Sequence, residues 1–195
     1  MKRSRQLVLA LLLPLVLVSY SQDKYEREHR IKKNQFPTVA RNFIDKNIKD
    51  YRKIKYYRET DSAEIRYTAR FKVDRLRYGV SFNQQGNVHG IEIQIKEVDI
   101  PDESLSQILQ FLDSTFNNYR MRRIQQLYPV KQGEPVAIIL KNAFQNLLIP
   151  SLQYKMTIAG KRSKGFKDYE VFFDAEGQFL KLKESLPANY DHVLY

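Results

Sequence analysis

Few side chains in this 195-residue sequence are of a kind that performs catalysis or holds a metal, and their spacing argues against both uses. The histidines are His29 in a charged stretch, His89 beside Gly90, and His192 in the tail. None has a partner at metal-ligand spacing, such as a second ligand four residues along a helix, so no zinc site is expected. Cysteine is absent, which removes a thiolate nucleophile, a disulfide and an acylated N-terminal cysteine. Asp45 and Asp113 occupy matching places in two echoing segments, Phe43, Asp45, Tyr51, Arg52 and Phe111, Asp113, Tyr119, Arg120. A carboxylate pair could divide acid and base roles, but each lies one residue from an apolar helical stripe, where a solvated face is expected. Asp174, in Phe173-Asp174-Ala175-Glu176-Gly177, fits a turn cap; calcium would require more oxygen ligands at regular spacing. The seven glycines stand singly, so no phosphate-cradling loop is present. These residues point to a protein that is not an enzyme and has no cofactor.

Charge is the remaining chemical signal. Lys and Arg number 33 against 22 Asp and Glu, a formal net charge of +11. Lys2, Arg3 and Arg5 precede the uncharged run Leu7 to Val18, and Ser19 and Ser21 supply small residues, so residues 1–21 read as a signal peptide cleaved near Ser21. Pro14 interrupts that run, which is shorter than the roughly 20 residues a spanning helix needs; no transmembrane segment is expected after cleavage. The location is then periplasmic or secreted, and the shorter chain keeps a basic surplus that favours an acidic partner.

Several elements must position those charges. Residues 22–35 are dense in charge and read as a solvated leader. Behind Pro37, the residues Val39, Ala40, Phe43, Ile44 and Ile48 fall at helical spacing. Short strands are expected near Ile54 and near Ile124, and a longer one alternates through Ile65, Tyr67, Ala69, Phe71 and Val73. Tyr78, Val80, Phe82 and Gly86 recur as Tyr169, Val171, Phe173 and Gly177, a repeated hairpin with a glycine at the turn; Gly90 marks a slip in the alternation, as a bulge would. A second helix follows Pro101 through Leu105, Ile108, Leu109, Leu112, Phe116 and Tyr119. A third runs from Pro135 to Pro150, with Leu147 and Leu148 on its inner side. The fold class is α+β: tandem helix-plus-antiparallel-sheet modules, helices packed on one face of a curved sheet. The units are residues 36–98 and 99–186, the latter with the extra helix, and residues 187–195 form a tail.

If helices cover one face, the alternate strand residues define the other. That face, read from Lys53 to Lys183, is mostly basic: nine of its side chains are Lys or Arg, while Glu64, Glu92 and Glu170 are acidic. Lys55, Tyr57, Arg66, Arg70, Lys72, Lys155, Phe172 and Lys181 are its candidate partner-binding residues, joined by Lys161, Arg162 and Lys164 in the loop before the second hairpin. The expected partner is an acidic protein or an anionic envelope component; export and the lack of an RNA-binding motif argue against nucleic acid. The competing accounts are lysines that merely solvate the sheet, a chaperone or unrecognised envelope enzyme, and a structural envelope component.

Pro37, Tyr78, Gly86, Ile100, Pro101, Tyr169, Glu170, Val171, Phe173, Asp174, Gly177 and Leu180 together resemble the PepSY-like periplasmic proteins of Bacteroidota, which are similar in fold to β-lactamase inhibitor proteins. The resemblance spans Phe36 to Glu184. It implies a binding or inhibitory role and supplies no catalytic residue. The basic strand Glu64 to Val73 and the lack of tryptophan set this chain apart from the usual pattern.

Overall fold

A computed structural model describes residues 27–60, 64–162 and 165–185. The expected signal peptide, the tail and Lys164 lie outside them. Nine antiparallel strands follow one another in sequence order across a single sheet: β1 (Arg27–Ile31), β2 (Arg52–Thr60), β3 (Ile65–Val73), β4 (Leu76–Phe82), β5 (Val88–Ile95), β6 (Asn118–Pro129), β7 (Gln153–Lys161), β8 (Lys167–Asp174) and β9 (Phe179–Ser185). Helix α1 (Thr38–Asn47) joins β1 to β2, α2 (Asp102–Thr115) joins β5 to β6, and α3 (Val136–Phe144) joins β6 to β7. No helix among the described residues is long and apolar enough to cross a membrane.

All three helices lie on one face, as the alternation requires. Tyr78, Ile93, Gln126, Tyr154 and Phe173 form one register row across five strands. That row meets α3 where Tyr78 stacks on Phe144 at 4.5 Å, and α2 where Phe173 meets Phe111 edge-on. Two residues beyond Val80, Phe82 packs edge-on against Phe43 of α1. Ile44, Ile108, Leu112, Val80, Ile91, Met156 and Val171 close the core between the layers, each at most 1% exposed. At about 1.5–3 kcal/mol for each fully buried aliphatic side chain, this layer dominates the favourable terms of folding.

The two halves use the same devices. The Asn83 carboxamide oxygen accepts from the backbone N–H of Gln85 and Asn87, and the Asp174 carboxylate accepts in the same way from Glu176 and Gln178. In each turn a glycine takes positive φ, 85° at Gly86 and 84° at Gly177, and its bare Cα presses on the start of a helix. A Cβ on Gly86 would sit 3.0 Å from the Val39 Cβ, and one on Gly177 would collide with the Ser104 carbonyl oxygen. Beyond each helix a tyrosine reaches back: Tyr51 donates to Asp45 and Tyr119 to Asp113, both at 2.9 Å. Pro37 and Pro101 stand 64 residues apart, whereas those aspartates stand 68 apart, because α2 has 14 residues and α1 has 10. Four extra residues add about one turn and preserve the buried face.

Four expectations change. Residues 27–31 of the supposed solvated leader form β1: Arg27, Glu28, His29 and Arg30 are polar or charged, as suits an edge strand, and its backbone pairs with β2 along its length. The short strand near Ile124 is the longest of all, at 12 residues, with Gln125 and Gln126 buried where alternation alone would place only one of them. Helix α3 ends at Phe144, since Asn146 takes φ 51°, and Leu147 and Leu148 are exposed rather than inside. Tyr119 belongs to β6, not to the helix.

Candidate functional site: the concave face of the sheet

The face away from the helices is not an open plane. Neighbouring strands lie about 4.8 Å apart, so β2 and β9 of a flat sheet would be separated by about 34 Å. Instead Glu59 of β2, Arg66 of β3, and Lys181 and Lys183 of β9 line one pocket of about 130 Å³. The sheet therefore curls, and this face is concave. Its lining also includes Ser81, His89, Glu92, Leu127, Gln153, Lys155, Glu170 and Phe172.

The floor is a closed charge network. Lys155, whose side chain is 13% exposed, pairs with Glu170 at 3.4 Å. Burial opposes its charge, yet Glu92, Glu170 and Glu59 outweigh that and the repulsion of Arg70, leaving its pKa above the ordinary lysine value. Glu92 is the reciprocal case. Burial would raise its pKa, but Lys155, Arg70, the Gln125 amide and Arg123 hold it below the ordinary carboxylate value. The sequence brings these groups together by register: Arg70, Gly79 and Glu92 are successive partners across β3, β4 and β5, and Gly79 has no side chain to part the other two. On the far side Arg70 forms a two-pronged pair with Glu28 of β1 at 2.8 and 2.6 Å and lies over the Tyr57 ring at 4.5 Å.

The rim holds a pair as well, Arg66 with Glu64 at 3.2 Å, and a bulge. Ser81 pairs with Gly90 and Phe82 with Val88, leaving His89 as the extra residue of a bulge. The expected slip at Gly90 is thus present, and it turns an exposed imidazole toward the pocket. Burial, then Arg66 and Lys181, lower the His89 pKa below 6.5, against the opposing pull of Glu64, so the ring is neutral at pH 7 and feels a positive surrounding. Phe172 is buried on the same side, with the Lys181 ammonium 4.3 Å and the Lys155 ammonium 5.9 Å from its ring centre.

Of the candidates from sequence, Arg66, Lys155, Phe172 and Lys181 converge on this pocket, with Arg70 and Tyr57 beside it. Lys72 lies six residues along β3 from Arg66 and Lys161 six along β7 from Lys155, about 20 Å at 3.4 Å per residue. The structure separates these two, and the neighbouring exposed Arg162, from the pocket; Lys55 lines a different opening at the sheet edge. Phe179, which strict alternation with Lys181 and Lys183 would put on this face, stacks instead on Phe111 on the helix side, because a bulge between Phe172 and Phe173 shifts the register of β9. The acids Glu28 and Glu59 escape the sequence reading, since β1 reads as leader and β2 as a short strand near Ile54. Among the described residues no group of three His, Asp or Glu is placed to hold a metal ion.

No family model matches the sequence, and no curated protein matches it. Solved structures do. A Bacteroides eggerthii protein provisionally assigned to the periplasm superposes with a TM-score of 0.52 at 12% identity, covering 76% of this chain and 88% of its own. A DUF2874 family protein from Bacteroides ovatus gives 0.50 at 12% identity, covering 76% and 87%. The chain shares their fold. A BLIP-like protein from Bacteroides fragilis is a looser likeness, with a TM-score of 0.47 at 19% identity over 82% of this chain and 92% of its own.

Proposed function

We propose that this chain is an exported, non-enzymatic binding module, PepSY-like in its tandem units, whose concave pocket seats one acidic side chain of a protein partner, as an inhibitor or regulator of a secreted enzyme would. The observation that carries this reading is the pairing of a small pocket with a basic rim. At about 130 Å³ the space lies below the range of about 300–1,000 Å³ that accommodates small molecules, yet it suits a single anchoring side chain. Burial first, and then Arg66, which Glu64 only partly offsets, and Lys181 hold the His89 pKa down, so a carboxylate entering there meets two cations beside the imidazole. Lys155 is held as an ammonium by three carboxylates, which suits a rigid floor and not a nucleophile or base. The signal-peptide pattern, and a fold shared with a protein assigned to the periplasm, support an envelope location.

Affinity capture from envelope extract tests the reading. A protein partner retained by the wild type at low salt should be lost at high salt and lost to Arg66→Glu/Lys181→Glu. Equal retention by that variant would refute the pocket as the binding site.

A further inference from the structure

A second opening, of about 560 Å³, lies at the edge of the sheet. Four cations line it, Arg30, Lys32, Lys33 and Lys55, with Ile54 and Tyr56 as apolar surface and no carboxylate in the lining. No ion pair among the described residues involves any of the four cations.

Its origin is a mismatch in strand length. β1 stops at Ile31, opposite Tyr56, and the chain turns away through the 3₁₀ turn Lys33–Gln35, held by the Lys32 N–H donating to the Gln35 side-chain oxygen at 2.8 Å. β2 continues back to Arg52, so residues 52–55 have a neighbouring strand on the β3 side only. The edge is also kinked there: Lys53 takes φ 56° within a register shift between Arg52 and Lys55. The matching 3₁₀ turn before α2, Glu97–Asp99, carries two carboxylates where Lys33–Gln35 carries none, so the purely basic character belongs to the β1 edge.

We infer that this notch docks an extended acidic segment of a partner polypeptide, which aligns beside residues 52–55 of β2 and sets its carboxylates among Arg30, Lys32, Lys33 and Lys55. An uncovered strand edge recognises backbone, which a phosphate or a lipid headgroup lacks. Lysines along an edge repel a second basic edge, but they draw in an acidic one, so charge selects the partner while the backbone supplies the register. This site is separate from the concave pocket and stands or falls independently of it.

The test uses a fluorescein-labelled peptide of alternating glutamate and valine, titrated with the protein at low salt and read by fluorescence anisotropy. Saturable binding is expected, weakened about tenfold or more by Lys32→Glu/Lys33→Glu and by N-methylation of alternate peptide amides. Lys161→Glu/Arg162→Glu, exposed cations that line neither opening, should leave it unchanged. Equal binding by the N-methylated peptide would overturn the inference, since attraction would then be charge alone. No peptide binding, with phosphatidylglycerol vesicles or pyrophosphate captured through the same lysines, would overturn it in favour of a phosphate-bearing ligand.

Discussion

Replacing Lys155 with methionine keeps the aliphatic stem beside Phe172 and removes only the ammonium that three carboxylates surround. Breaking a buried ion pair by deleting one partner costs about 3–5 kcal/mol in general. Here the loss should be smaller. The Glu170 side chain is 21% exposed and water can reach it, and Glu92 keeps Arg70 and the Gln125 amide. A loss of about 2–3 kcal/mol follows, which at a urea slope of about 2 kcal/mol per molar lowers the unfolding midpoint by about 1 M. Adding Glu92→Gln removes one of the stranded charges, so the double variant should recover part of the loss, with a coupling of about 1–2 kcal/mol. The pH dependence has a definite sign. Because the folded Glu92 pKa is depressed, its contribution is fully present above the ordinary 4.5 and is lost as pH falls through the folded value. The Lys155 pKa is raised, so its contribution is complete below 10.5 and lost only as pH rises through its folded value. Urea unfolding of the four proteins in this cycle, followed by circular dichroism, is the assay. A midpoint unchanged in Lys155→Met, or strictly additive losses in the double variant, would show that the floor is not a coupled network.

Other outcomes follow from the same contacts. Gly177→Ala should destabilise by about 2 kcal/mol or more, since positive φ disfavours a side chain and the new methyl meets the Ser104 carbonyl. Gly86→Ala shares the backbone strain but meets the flank of Val39 instead, so its thermal midpoint should fall less. For His89, whose pKa is lowered on folding, the unfolded chain binds more protons between the folded pKa and 6.5; stability should therefore decrease as pH falls through that window, and His89→Gln should flatten the slope in urea unfolding. With a partner carboxylate seated in the pocket the His89 pKa rises, so calorimetry should show proton uptake on binding and tighter binding as pH falls through 6.5.

The hairpins were legible because Tyr78, Val80 and Phe82, like Tyr169, Val171 and Phe173, recur at every second position on the buried side, and the turn demands glycine at Gly86 and Gly177. Strand β1 was not legible: Arg-Glu-His-Arg-Ile leaves only Ile31 to signal a buried side, so an edge strand has the composition of a linker. In β6 the adjacent buried Gln125 and Gln126 conceal the period of two. The site divides in the same way. Arg66, Lys155, Phe172 and Lys181 could be placed on one face from alternation, but their convergence depends on how far nine strands curl, which no short-range pattern encodes. The curl also brings Glu59 within electrostatic reach of Lys155, so that what read as a mostly basic surface has a neutralised floor.

The central claim is that the concave pocket takes an acidic side chain of a protein partner. Photo-crosslinking in cells from a diazirine analogue of leucine at position 127, a residue lining that pocket, tests it most directly. The account predicts a crosslink to one envelope protein, within a peptide carrying Asp or Glu, that disappears in Arg66→Glu/Lys181→Glu. Crosslinks that persist in that variant, or a pocket that captures no protein at all, would contradict it.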